Sequence, residues 1–256
     1  MAWNAAQYLK FGQERTRPSR DLATRVGLAD PRRVIDLGCG PGNSTAVLRE
    51  RWPHAAIRGL DSSPEMIAAA RAGQPECEWE IGDIASWAAD GEEKFDVVFS
   101  NAALQWLPRH ETLLPRLLGR VAPGGAFAMQ IPANPGAVQD RILRDMARGP
   151  AQKWDAQSAA FYYDVLAGCG ARVDMWTTTY YHLLPNVEAI AEWYKGTAMR
   201  PYLDALPDDD ARTEFFREYT ERLRPHFPPQ ADGTVLFPFQ RLFAIAYCAT
   251  SESDRV

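Results

Sequence analysis

The stretch Asp36-Leu37-Gly38-Cys39-Gly40-Pro41-Gly42 narrows what this chain can fold into more than any other. It follows a short apolar run, Arg33 to Leu37, that reads as a buried strand, and helix character resumes at Ser44 to Arg51. Glycines at alternate positions remove the Cβ atoms that keep backbone away from a ligand, so such a turn suits the carboxyl edge of a parallel sheet, where open α/β folds bind. The same rhythm continues on both sides of the motif. Ala56 to Asp61, Cys77 to Ile81, Phe95 to Ser100 and Ala126 to Ile131 read as strands. Between them stand a helix opened by Ser63-Pro64-Glu65 and another at Glu111 to Val121. A capping serine, a proline at the first helical position and an early acid are helix-start signals. Strands alternating with helices predict a doubly wound, mostly parallel sheet of the α/β class.

After Ile131 the rhythm loosens. Helices are predicted at Gln139 to Arg148 and Phe161 to Ala167, the latter ended by Gly168-Cys169-Gly170, and a long strand at Ala171 to Tyr181. Asn186 and Asp208 are good caps for two more helices over roughly 186–198 and 208–224, before a closing strand at Phe239 to Ala249. The expected organisation is an N-terminal helical segment at 1–29 across the mouth of the site and a Rossmann-like core at 30–185. A helical insertion at 186–235 is expected to cover the ligand end of the sheet, with a final strand and tail at 236–256.

Composition excludes several classes. A chain of 256 residues with 46% hydrophobic and 24% charged residues has the makings of a packed core. Its 28 Lys and Arg against 33 Asp and Glu, net −5, carry the wrong sign for a protein that tracks nucleic acid. The longest nearly apolar run, Leu242 to Ala249, is too short to span a bilayer, and no signal-peptide pattern opens the chain, so a cytoplasmic protein with no membrane attachment is expected. Cys39, Cys77, Cys169 and Cys248 lack paired metal-ligand spacing, and His54, His110, His182 and His226 are equally dispersed. No metal site is expected.

The turn's spacing also speaks to the ligand. A dinucleotide fingerprint requires its third glycine at position 43, which is Asn43, so NAD is disfavoured. Asp61 ends the second strand about 20 residues beyond the turn, where a carboxylate accepts hydrogen bonds from both hydroxyls of a ribose. Adenosine is implied. Asp83 after the third strand either meets an adenine amine, with Ile84 against the ring, or caps the next helix; Asp36 either biases the site toward a cationic ligand or orients the turn.

An acid, three alternating glycines, an acid closing strand two and an acid after strand three together resemble the class I S-adenosylmethionine-dependent methyltransferases. That resemblance covers roughly residues 30 to 131. It implies a seven-stranded sheet with a reversed final hairpin and S-adenosylmethionine as cofactor, held by Asp36, Gly38, Gly40, Gly42, Asn43, Asp61, Ser62, Met66, Asp83, Ile84, Asn101 and Trp106. Further stretches extend the likeness over nearly the whole chain: Trp3-Asn4, Tyr8-Leu9, Phe11, Glu14-Arg15, Arg17-Pro18, Asn101 to Pro108, Trp176 to His182 and Arg241-Leu242-Phe243. These resemble the branch of the family that esterifies a small polycarboxylic acid, which implies a carboxyl O-methyltransferase releasing S-adenosylhomocysteine.

A carboxylic acid is ionised at neutral pH, so such a reaction needs no general base and the lack of a catalytic dyad is no objection. It needs cationic forks for the spectator carboxylates and weaker donors at the reacting one, because tight pairing there lowers nucleophilicity. Candidates for the acceptor are Tyr8, Arg17, His182, Arg200 and Arg241, with Arg15 for the cofactor's own carboxylate. Each arginine alone also reads as a surface ion pair, His182 as a structural hydrogen bond, and Trp176 and Trp193 as packing. The expected partner is a small acid, with no obligate protein partner. Another small acid, an uncharged acceptor, or cofactor binding without catalysis are the competing readings.

Overall fold

The computed structural model describes residues 12–134, 136–146 and 156–250. In chain order the elements are α1 Gly12–Arg25, β1 Arg33–Leu37, α2 Asn43–Arg51, β2 Ala56–Asp61, α3 Pro64–Gly73, β3 Glu78–Ile81, α4 Ile84–Ala89, β4 Phe95–Asn101, α5 His110–Gly119 and β5 Val121–Pro132. There follow α6 Val138–Met146, α7 Ala159–Gly168, β6 Arg172–Leu184, α8 Val187–Lys195, α9 Arg200–Asp204, α10 Asp209–Leu223 and β7 Val235–Tyr247. The described residues fall into two compact units. One takes in 12–132, 156–178 and 241–250, the other 133–134, 136–146 and 179–240, in which the segment 186–235 lies.

The sheet has seven strands in the order β3-β2-β1-β4-β5-β7-β6. β1 pairs in parallel with β2 and β4, β2 with β3, and β4 with β5, whereas β7 runs antiparallel on β5. This is the mostly parallel sheet with a reversed end that the resemblance implied. Central strands read as continuous apolar runs because both faces are covered: Val34, Ile35, Val97, Val98, Phe99, Phe127 and Met129 are fully buried. Burying each such side chain contributes about 1.5–3 kcal/mol relative to leaving it in water.

Helix starts follow the capping signals. The Ser63 hydroxyl accepts from the Met66 N–H at 3.3 Å ahead of Pro64, Asn186 accepts from Ala189 N–H at 3.0 Å, and Asp208 accepts from Ala211 N–H at 2.8 Å. Strand ends depart further from expectation. β5 begins at Val121 rather than Ala126, because Phe95 pairs with Val121 before the register jumps to Val97 and Ala126, leaving Ala122-Pro123-Gly124-Gly125 as an irregularity within the strand. β6 runs on to Leu184 rather than Tyr181, and β7 starts at Val235 rather than Phe239, continuing through Pro238.

The second unit has its own aromatic interior, built from Tyr180, Trp193, Tyr194, Tyr219, Phe237 and Phe239. Among the described residues no helix is long and apolar enough to cross a membrane, and no cluster of His, Cys, Asp and Glu forms a metal site.

Candidate active site

The three turn glycines all take positive φ, 70° at Gly38, 55° at Gly40 and 93° at Gly42, yet each meets a different need. A Cβ on Gly38 would lie 2.2 Å from the Cβ of Ala103, and one on Gly42 would lie 2.7 Å from Gln74 Nε2 and 3.1 Å from the Trp79 ring. Among the described residues, a Cβ on Gly40 would meet nothing within 4 Å. The outer two glycines therefore seat the turn against neighbouring chain, and the middle one faces open space. Support from behind comes from residues that sequence reasoning did not single out. Gln74 Nε2 donates to the Gly42 carbonyl at 2.9 Å, and the Trp79 indole donates to the Gln74 carbonyl at 2.9 Å. On the other side, Ala103 reaches Gly38 because Ala102 takes φ 55°, a strained value for a residue with a Cβ. That conformation is held by the Ala102 N–H donating to the Gln130 carbonyl at 2.8 Å and by Gln105 Nε2 donating to the Ala102 carbonyl at 2.7 Å.

The acids are arranged around that turn. Asp61, at the end of β2, accepts from the Gly40 N–H on one oxygen and from the Ser63 N–H on the other, both at 2.9 Å. Burial raises its pKa against the pull of those two bonds. A carboxylate has about four acceptor positions, so two remain for a ligand beside the open face of Gly40. Asp36 in β1 is wholly buried and accepts from the Ser44 hydroxyl at 2.6 Å and the Thr45 hydroxyl at 2.7 Å, both on Oδ2. Desolvation pushes its pKa up to about 6, the two hydroxyls opposing and the Asp61 charge adding to the rise. Its Oδ1 is buried with no hydrogen-bond partner among the described residues. Asp36 thus orients the first turn of α2 and still holds one oxygen in reserve. Asp83 is exposed and caps α4, accepting from the Ser86 N–H at 2.9 Å.

The remaining cofactor candidates divide by exposure. Ile84 is buried, with Cδ1 3.6 Å from the position of a Cβ on Gly38; Asn43 and Trp106 are half-buried, Ser62 is exposed, and Met66 is packed into the interior face of α3. Asn101 closes β4 with its Oδ1 buried and without a partner. Of the acceptor candidates, Arg17 is exposed on α1 and Arg241 is buried in β7 within the first unit. Tyr8 lies outside the described residues, as does the side chain of Arg15. His182 and Arg200 belong to the second unit. There His182 is buried with its ring centroid 4.8 Å from that of Trp193 and flanked by Phe237 and Phe239, and Arg200 opens α9 at 3.9 Å from Asp204. Trp176 stacks on Phe243 at 4.8 Å, the packing role expected of it.

Open space over Gly40, spare acceptor positions on Asp61, an apolar side chain at Ile84 and an unpartnered carboxylate oxygen on Asp36 fit one kind of ligand. It is a nucleoside with ribose hydroxyls to donate and positive charge nearby. The family model of a methyltransferase domain matches residues 34–125. Over 95% of this chain, a trans-aconitate 2-methyltransferase of Methylobacterium nodulans is 48% identical, covered over 97% of its own length. One from Klebsiella pneumoniae is 44% identical over 95% of the chain and 97% of its own. Among solved structures, the YcgJ protein of Bacillus subtilis shares the fold at a TM-score of 0.60 and 15% identity, over 92% of this chain and 100% of that one. Phosphoethanolamine N-methyltransferase 2 of Haemonchus contortus, solved with S-adenosyl-L-methionine, has a TM-score of 0.55 at 16% identity, over 91% of this chain and 52% of that one.

Proposed function

The chain belongs to the trans-aconitate 2-methyltransferase family of S-adenosylmethionine-dependent methyltransferases, and from that premise we propose that it converts trans-aconitate to its monomethyl ester with release of S-adenosylhomocysteine. When bound, S-adenosylmethionine supplies an electrophilic methyl group on a positively charged sulfur. The observation that carries the reading is the open face of Gly40, whose N–H is tied to the Asp61 carboxylate.

In this reading the protein's work is binding, orientation and charge. Asp61 receives the ribose hydroxyls on its two spare acceptor positions, Gly40 lets the ligand approach backbone closely, and Ile84 lies against the base. Asp36 supplies negative charge toward a cationic ligand through the oxygen that Ser44 and Thr45 leave free. Asn43, Ser62, Met66, Asp83, Asn101 and Trp106 complete the assignment for the cofactor. An acceptor carboxylate is already ionised near neutrality, so no side chain has to remove a proton; holding it in line with the methyl contributes the rate enhancement. Arg17 and Arg241 take spectator carboxylates. His182 and Arg200 keep the acceptor roles assigned from sequence, each open to test by substitution.

Incubation of the protein with S-adenosylmethionine and trans-aconitate tests the proposal. A base-labile monomethyl ester formed in step with S-adenosylhomocysteine is the expected product. A base-stable ether or amine, or no turnover of any small acid, would contradict it.

A further inference from the structure

Gln130 lies in β5 with no solvent exposure, and among the described residues neither its Oε1 nor its Nε2 has a hydrogen-bond partner. Its neighbours in the run Ala126 to Ile131 are otherwise apolar, and a strand that only had to fill this space would carry Leu or Met there. The buried amide is destabilising unless something satisfies it.

Strand register shows what lies beside it. Asp36 pairs with Phe99, Asn101 stands two residues further along the same face of β4, and Asn101 pairs with Gln130. Gln130 in turn pairs with Phe243, two residues from Arg241 on the same face of β7. Side chains on one face of a sheet alternate with period two, so Asp36, Asn101, Gln130 and Arg241 form one polar row across the strands' carboxyl edge. Asp61 joins it on the opposite side of β1, because Asp36 pairs with Gly59. The row runs from a carboxylate suited to ribose, past the glycine turn, to two amides and a guanidinium.

Resting on the proposed function, we infer that Gln130 is an acceptor-binding residue whose amide N–H donates to the carboxylate that becomes methylated. With the nucleoside assigned to β1 and β2, the acceptor has to meet the methyl from the β4 and β5 side. A neutral amide orients a carboxylate without neutralising it, whereas an arginine at this position would lower its nucleophilicity. The two ends of the amide also match the two charges that meet in the reaction: the N–H end the anion, the carbonyl end the sulfonium. Asn101 Oδ1, buried and unpartnered beside it, offers a second acceptor to the positively charged side.

Gln130→Met nearly conserves volume and removes the unsatisfied amide, so its melting temperature should equal or exceed that of the parent. Its kcat/KM for trans-aconitate should fall by about 100-fold while the affinity for S-adenosylhomocysteine stays within about threefold. Gln130→Glu should lose more, because it sets a negative charge against the acceptor, and should recover part of its activity at lower pH. On the unaltered protein, the side-chain ¹⁵N amide signal of Gln130 should shift when trans-aconitate is added to the S-adenosylhomocysteine complex. A Gln130→Met enzyme with kcat/KM within about threefold of the parent, or an amide signal that ignores the acid, would overturn the assignment alone. So would a loss of S-adenosylhomocysteine affinity as large as the loss of rate. A parent that esterifies no polycarboxylic acid would overturn the proposed function, and this assignment with it.

Discussion

The carboxyl edge of the sheet is built in two ways. Between β1 and β2 the polar groups are charged and each holds two hydrogen bonds: Asp61 accepts from two backbone N–H groups, one from the glycine turn itself, and Asp36 accepts from two side-chain hydroxyls at the start of α2. Between β4 and β5 they are neutral amides, and Asn101 Oδ1 and both ends of Gln130 are buried without partners. In the first half each carboxylate is already oriented by two hydrogen bonds within the chain, as suits a cofactor of fixed shape. The second half carries unmet hydrogen-bonding capacity, as suits a substrate that completes it. Carboxylates already oriented by the chain on one side and an amide with neither end bonded on the other make the comparison testable by substitution.

The largest effect is expected at the joint between the halves. Gly38→Ala places a methyl 2.2 Å from Ala103 at a φ of 70°, and should cost about 3 kcal/mol or more in chemical denaturation. Gly40→Ala adds the same methyl to open space, so it should lose only about 1–2 kcal/mol of stability, its damage showing instead as weaker S-adenosylhomocysteine binding. Equal stability losses at the two positions would remove the distinction between a glycine that packs and a glycine that faces ligand. Asp61→Ala comes next, weakening S-adenosylhomocysteine by about 100-fold in calorimetry, since hydrogen bonds to a charged group contribute about 1.5–3 kcal/mol each.

Asp36 gives a prediction in pH. Its folded-state pKa, pushed up to about 6, exceeds the ordinary carboxylate value, so the folded protein binds the proton more tightly than the unfolded chain does. Its contribution is therefore fully present below about pH 4 and is lost as pH rises through about 6, with a ceiling near 3 kcal/mol. Asp36→Asn should flatten this dependence in the unliganded protein, by about 2 kcal/mol between pH 4.5 and pH 7.5, in paired denaturation curves. Ligand affinity should move the other way in the parent, strengthening as Asp36 ionises. The smallest effect is expected at Arg17, which is exposed: Arg17→Ala should raise the KM for trans-aconitate by about tenfold with kcat little changed.

Much of the cofactor half was legible in the sequence because its signals are local. The glycine turn, the strand-end position of Asp61 and the cap at Ser63 each depend on residues within a few positions of one another. What was not legible depends on contacts between distant segments. Nothing local says that Gly38 has to make room for Ala103, or that Gln74 and Trp79 brace Gly42 from α3 and β3. Gln130 did leave a trace, a lone amide in the apolar run AFAMQI, but its meaning needs the register that sets it beside Asn101. Strand ends were misjudged where proline or glycine interrupts the strand signal, as after Val121 at Pro123-Gly124-Gly125 and after Val235 at Pro238.

A crystal structure of the protein with S-adenosylhomocysteine and trans-aconitate bound together tests the division of the edge most directly. The account predicts the ribose hydroxyls on Asp61 beside Gly40, and a carboxylate of the acid within hydrogen-bond distance of the Gln130 amide. A nucleoside lying against β4 and β5, or the acid seated beside Asp61, would contradict it.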